Sequence, residues 1–388
     1  MSEGLRLVVT HKAKFEYHTL SRGGSSFQVI EPNFGGFFSK RPVAFDCVFN
    51  LAMLSYGALV GTVAILAIAA DGFILGNRPH IFHKDRKKQN TAEDTLILSH
   101  VLFRHGNRTP ELSELYPLDP YYNYTYYPLK HGQLTDAGKK REFSIGTALR
   151  ERYNNFLGDY YVPDLVDARS TDRNRTKMSL LLVLASLFPP RYSEIWNAKL
   201  NWQPIPYNYL PDTDDPIIYG INCPNYLSLY DELQTSPKVL AEYEKYADNF
   251  TYISENSGLN VTGYSQVYDL YFGLSTEEEY GLRLPDWTAK VWPDFINEIS
   301  YKQYSIYTRT TQLRKMAAGY LIQKMIIDTE NRISGSNNDT KIYLYSAHEN
   351  NLGQFLMTLD LFEYPHIPTY GSYILVEAHY INSTYGFK

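Results

Sequence analysis

From residue 95 onward the chain alternates between short apolar runs and polar turns. The run TLILSHVLF, 95 to 103, is apolar and rich enough in β-branched residues to predict a buried strand, and it ends at RHGNRTP. Next comes HGQLTDAGKKREFSIGTALRERY, in which Thr135 is placed to cap a helix and Ala137, Ile145, Ala148 and Leu149 recur with helical spacing. The stretch VPDLVDARSTDRNRTKMSLLLVLASLFPP predicts a short strand, a polar turn, and an apolar helix stopped by Pro189 and Pro190. Near the end, KIYLYSAHENNLGQFLMTLDL repeats the plan, with a strand over 342–345 and a helix carrying Leu352, Phe355, Leu356 and Leu359 on or near one face. Each of the three units places polar residues where a strand gives way to a helix. In open α/β sheets that edge is where ligands bind. Between the second and third units, about 191–305, a weaker period among Tyr, Asn, Pro and acidic residues predicts a mainly helical, loop-rich cap inserted over the sheet edge.

The first 94 residues follow other rules. Residues 1–45 show no sustained period and read as a disordered tail. Within 46–70, the stretch from Val48 to Ala70 runs without a charge. As a helix it would span roughly 35 Å, enough for a hydrocarbon core of about 30 Å. It predicts either a transmembrane signal-anchor or a cleaved signal, with Ala67 to Ala70 as a processing site. Residues 71–94 form a polar linker in which His80 and His83 are too sparse to read as a metal site, and 95–388 form the main domain. The basic residues after the apolar segment would place the body in the cytoplasm by charge alone. Glycosylation acceptors at Asn123, Asn249, Asn260, Asn338 and Asn382 favour a lumenal or extracellular body.

Composition narrows the function classes. At 388 residues, 44% hydrophobic and 20% charged, the chain is an ordinary globular protein, and a net charge of −5 argues against the broad basic field of a nucleic-acid binder. Any anion site must be local. Cys47 and Cys223 cannot build a disulfide framework. The 35 tyrosines are an excess that the pattern does not explain.

The three turns carry the chemistry. Arg104 and Arg108 supply planar, permanently charged donor forks on either side of His105, and Gly106 lets the backbone turn sharply. In the second turn Arg169, at the strand end, is expected to point inward, while Arg173 and Arg175 read as structural or surface residues. The third turn sets His348 beside Glu349. Three guanidiniums and two imidazoles converging on one sheet edge would hold a dianion such as a phosphate monoester.

FRHGNRTP, GQLTDAGKKREFSIGTALRERY, ARSTDRNRT with LASLFPP, and YSAHE before an apolar helix resemble the histidine acid phosphatases in order and spacing, from about Leu96 to about Val376. LPDW (284–287) and RKMAAGYLI (314–322) add weaker matches. The resemblance implies a phosphoglycerate mutase-like fold: a three-layer α/β sandwich with a mixed, mostly parallel sheet and a helical cap. It implies that His105 attacks the phosphorus of a small-molecule or protein phosphate monoester, that Arg104, Arg108, Arg169 and His348 hold the phosphoryl oxygens, and that Glu349 protonates the leaving alcohol. No cofactor or metal is implied; a homodimer is.

Two residues depart from the family's pattern. Glu349 stands where aspartate is common, which changes the donor's reach, and Asn107 stands where aspartate is frequent, which removes a negative charge. Asn107 and Asn174 are formal glycosylation acceptors inside the site motifs and are discounted. Relatives usually continue past SYILVEAHYIN into a tail with cysteines, so the resemblance implies that the partner of Cys223 is missing and that the chain is truncated or marginally stable. A phosphomutase of the same fold, and a non-catalytic membrane-tethered anion binder, are the alternatives to a hydrolase.

Overall fold

The structure, a computed structural model, describes residues 7–10, 14–17 and 92–388. The apolar segment 48–70, Cys47, His80 and His83 lie outside the described residues. Within the stretch read as a tail, β1 (Leu7–Thr10) and β2 (Lys14–Tyr17) pair antiparallel. Among the described residues no helix is long and apolar enough to cross a membrane.

Five strands form the central sheet: β3 (Leu96–Arg104), β4 (Val166–Ser170), β5 (Ile342–Ala347), β6 (Tyr373–Ile381) and β7 (Thr384–Phe387), in the order β4-β5-β3-β6-β7. The β4–β5 and β5–β3 pairings are parallel, and β3–β6 and β6–β7 antiparallel. The expected mostly parallel sheet is therefore parallel only in its β4-β5-β3 half. For β6 and β7 the reason is local: Asn382 and Ser383, both at positive φ, make a two-residue hairpin, too short for a parallel crossover. The parallel half matters for function, because β3, β4 and β5 deliver their C-terminal turns to one edge.

Alternation along the strands gives the sheet two apolar faces. Val101 and Phe103 of β3 with Ile342 and Leu344 of β5 pack against α1 (Asp136–Arg152) and α3 (Asn174–Leu187), with the short α2 (Asn154–Leu157) at one end. Leu98 and Leu102 with Tyr343 and Tyr345 face the opposite layer. Helices of the inserted segment, α4 (Pro224–Gln234), α5 (Pro237–Glu244), α6 (Ala247–Ser257), α7 (Tyr264–Glu279) and α8 (Asp294–Tyr307), share a separate core around Val239, Ile253, Val267 and Ile299. The chain then returns through α9 (Thr311–Arg314), one wide turn, and α10 (Tyr320–Ser334), which with α11 (Glu349–Thr358) covers the second face.

One contact between the loop after β3 and α7 sets a pH response. Asp119 and Glu277 lie close enough for the charge of one to act on the other, are 6% and 0% exposed, and have tyrosine rings rather than cations around them. Burial raises both carboxyls, and the Asp119 charge raises Glu277 further. The folded chain therefore keeps a proton that the unfolded chain releases at about pH 4. The pair's contribution is full below that pH and is lost as pH rises through neutrality. Buried His100, held down to about 3 by desolvation, works in the opposite direction. The difference between variant and parent isolates the pair: Glu277→Gln is expected to gain roughly 2–4 °C in Tm relative to the parent between pH 5 and pH 8. A pH-independent difference would contradict this.

Candidate active site

The site is built on the turn after β3. His105 ends the strand's pairing by donating its backbone N–H to Ala347 O of β5 at 3.0 Å. Gly106 is needed for close approach rather than for the sharp turn expected of it: a Cβ there would lie 2.5 Å from Gly138 O of α1, whose N-terminus Thr135 caps by accepting from Gly138 N at 3.2 Å. The helix is thus seated directly against the histidine turn. His105 is fully buried, and its Nδ1 lies 2.8 Å from Gly106 O. A carbonyl oxygen only accepts, so Nδ1 carries the proton and Nε2 keeps its lone pair. Burial, then Arg175, His348, Arg104 and Arg108, hold the ring well below the ordinary histidine range, so it stays neutral in acid.

The guanidiniums around it differ from expectation at one position. Arg104 at the end of β3 donates to Pro368 O at 2.6 Å and lies over the Tyr370 ring, 3.8 Å from its centroid. Arg108 is held bidentate by Glu114 at 2.7 and 2.5 Å. Arg169 is not in the cluster. Ala168 faces the α1/α3 layer, so the next residue of β4 points to the other face, where Arg169 pairs with the buried Asp215 at 2.9 Å. Its place is taken by Arg175, expected to be a surface or structural residue, whose Nε lies 3.1 Å from His105 Nε2 and whose Nη1 pairs with Glu111. The sequence held a signal for this. Arg175 lies four residues before Ser179, on the inward stripe of α3 that continues through Val183, and Ser179 Oγ accepts from Gly106 N at 3.3 Å. Arg173, half exposed, pairs with Asp212 as a surface residue should.

The third turn arrives as expected. His348 lies edge-on to His105 with ring centroids 5.3 Å apart, and its Nε2 is within 3.0 Å of Thr171 Oγ1 and 2.6 Å of Tyr219 Oη. Burial and the surrounding arginines keep it neutral as well. Glu349, the first residue of α11, accepts from Tyr268 Oη at 2.9 Å and lies 3.4 Å from Arg104 Nε. Burial raises its carboxyl, but Arg104 and Arg108 outweigh that and hold it below the usual range. Thr171, Arg175, Tyr219 and Tyr268 are site residues that the motifs did not identify.

Asn107 explains itself through its partners. Its amide donates to Glu279 at 2.7 Å and accepts from Arg141 at 3.1 Å. An aspartate there would face Glu279 with a like charge. A cavity of about 450 Å³ opens beside it, lined by Arg108, Leu129, Lys139, Glu279 and Tyr280. No group of three or more His, Cys, Asp or Glu side chains among the described residues is arranged to hold a metal.

Residues 95–385 match the model of the histidine phosphatase superfamily, branch 2. The chain belongs to that superfamily. This branch 2 histidine phosphatase is 41% identical over 291 residues to the venom acid phosphatase Acph-1 of Apis mellifera, covering 74% of this chain and 75% of that protein. Against the prostatic acid phosphatase of Bos taurus the identity is 32% over 295 residues, with 74% of each chain covered. Against the human lysosomal acid phosphatase it is 33% over 271 residues, covering 68% of this chain and 62% of the relative. Among solved structures, a Klebsiella phytase superposes with a TM-score of 0.55 at 14% identity, covering 74% of this chain and 80% of that one, which shows a shared fold.

Proposed function

We propose that the protein is an acid phosphatase that hydrolyses phosphate monoesters through a phosphohistidine on His105. The observation that carries this reading is the His105 tautomer: Nδ1–H is committed to Gly106 O, and Nε2, lone pair intact, faces a pocket of guanidiniums. The Nε2 lone pair forms a bond to phosphorus as the bond to the leaving oxygen breaks, and Glu349 gives that oxygen its proton. Water then attacks phosphorus, Glu349 takes a proton from it, and the P–N electron pair returns to Nε2. Arg104, Arg108, Arg175 and His348 hold the phosphoryl oxygens, and fixed positive charge supplies most of the acceleration in such transfers. Arg175 moves from Nε2 to an oxygen when the phosphoryl group arrives. That group also draws on Arg104, which releases its hold on Glu349 and lets the carboxyl take up a proton. Activity therefore falls as pH rises through the carboxylate range. Turnover of an alkyl phosphate, whose alcohol needs the proton, by the full chain between pH 4 and 8 tests the assignment. Hydrolysis strongest at the acid end supports it, and none at any pH in folded protein defeats it.

Glu349→Gln separates the proton donor from its surroundings. For an alkyl phosphate, whose alcohol needs the proton, kcat/KM is expected to fall about 10²–10⁴-fold. For p-nitrophenyl phosphate, whose phenolate leaves unaided, the loss is expected to be much smaller. Equal losses on the two substrates would remove Glu349 from the donor role.

We place the catalytic body in a lumenal or extracellular compartment, tethered through 48–70 or released if that segment is cleaved. The exposure of Asn123, Asn260, Asn338 and Asn382 supports glycan attachment there, whereas the amide of Asn107 is engaged by its neighbours. A loss of mass on deglycosylation is the check.

A further inference from the structure

We infer that Tyr219 is a positioning residue for His348, and that Arg169 and Asp215 serve the reaction by holding the turn that carries it. The inference rests on the assignment of His348 to the phosphoryl site.

Tyr219 belongs to none of the three strand-turn-helix units. It lies in the connection between α3 and α4, just before the short turn Gly220–Asn222. Its hydroxyl is 2.6 Å from His348 Nε2, closer than Thr171 Oγ1 at 3.0 Å on the same nitrogen. The Arg173 guanidinium lies near that hydroxyl and favours its charged form. A phenol has one proton to give, and the lone pair of a neutral imidazole nitrogen at 2.6 Å can accept it. Two hydroxyls from different segments, one at the end of β4 and one in the connection, thus fix the ring's plane edge-on to His105.

The placement of Tyr219 is built in turn. Its backbone N–H donates to Asp215 O at 3.0 Å, and Asp215 Oδ1 accepts from Ile217 N and Ile218 N at 3.0 and 3.1 Å. Asn351 of α11 donates to Ile218 O at 2.7 Å, tying the turn to the helix that follows His348. Asp215 is 2% exposed, and its carboxylate is neutralised by Arg169 at 2.9 Å. Without that guanidinium a buried charge would stand alone at the base of the turn. Arg169 is therefore adjacent to the chemistry in function but acts two steps away, through Asp215 and then Tyr219.

The charged and titratable groups facing His348 are His105, Arg104 and Arg108 from the β3 turn, Arg173 and Arg175 from α3, Tyr219, and its neighbour Glu349. Of these, Tyr219 is the one whose backbone N–H is held by Asp215 itself. The test uses the full chain labelled with ¹⁵N-histidine, followed by NMR with and without inorganic phosphate, alongside steady-state kinetics for p-nitrophenyl phosphate. Tyr219→Phe, which removes only the hydroxyl, is expected to shift the His348 ring nitrogen resonances and lower kcat by about tenfold, the size of one lost hydrogen bond. Arg169→Met is expected to reproduce that resonance shift, and Arg169→Lys to restore the parent spectrum. The inference is overturned if Tyr219→Phe leaves the His348 resonances where they are. It is equally overturned if Arg169→Met lowers Tm without moving them. The ring resonances read positioning without turnover, so a failure of the phosphatase assignment would show in the kinetics and leave the spectra as predicted.

Discussion

His105→Ala is expected to abolish turnover, lowering kcat by on the order of 10⁴- to 10⁶-fold, as removal of a nucleophile does in other covalent enzymes. The loss should fall on kcat, because the groups that hold the phosphoryl oxygens are untouched and substrate still binds. Folding should survive, since the helix contact at this turn is made by Gly106 and Gly138 rather than by the imidazole. The histidine also sets the acid limit of the reaction. Three guanidiniums and complete burial keep it neutral, so kcat/KM is expected to persist well below pH 6.5, where an ordinary histidine would protonate and cease to attack. A fall in kcat/KM centred near pH 6.5 would mean that the ring is far less shielded than its surroundings imply. A His105→Ala variant that kept turnover would move the nucleophile elsewhere.

The second large effect distinguishes two arginines that the same sequence motif offers. Arg175→Ala is expected to lower kcat/KM by about 10²–10³-fold, the cost of one donor aimed at developing charge. Inhibition by inorganic phosphate should weaken in parallel. Lysine should rescue little of this, because an ammonium cannot reproduce the planar fork that reaches both His105 and Glu111. Arg169→Met should cost only about tenfold, in keeping with its action through Tyr219, and should leave phosphate inhibition near the parent level. The reverse order, with Arg169 the costlier loss, would restore the reading that the strand end alone suggests.

Those two residues mark the limit of what the pattern could convey. The strand before His105, the cap at Thr135, the apolar helix stopped by Pro189 and Pro190, and the last strand-turn-helix unit all follow from local periodicity and end signals, and the structure has each of them. Arg169 was misplaced because a strand's two faces look alike until its neighbours are known, and only the burial of Ala168 against α1 and α3 reveals which way the next side chain must go. Arg175 was legible in principle through its spacing from Ser179, but a charged residue in a helix's first turn is usually a solvated one. Tyr219 and the Asp119–Glu277 pair could not be read locally at all. Both join segments more than a hundred residues apart, across a cap whose periodicity is weak. The tyrosine excess also finds part of its explanation here: Tyr268 and Tyr153 bury their rings, Tyr219 is half-buried, and their hydroxyls meet Glu349, Glu377 and His348 respectively.

The central claim is that the phosphoryl group passes through His105, and trapping that intermediate tests it most directly. The full chain is mixed with ³²P-labelled p-nitrophenyl phosphate at acid pH, quenched within milliseconds into alkali, where phosphohistidine survives, and digested for peptide mapping. The account predicts label on the peptide containing His105, formed and lost at rates matching turnover, and absent from His105→Ala. Full turnover with no labelled peptide, or with label on any other residue, would contradict it.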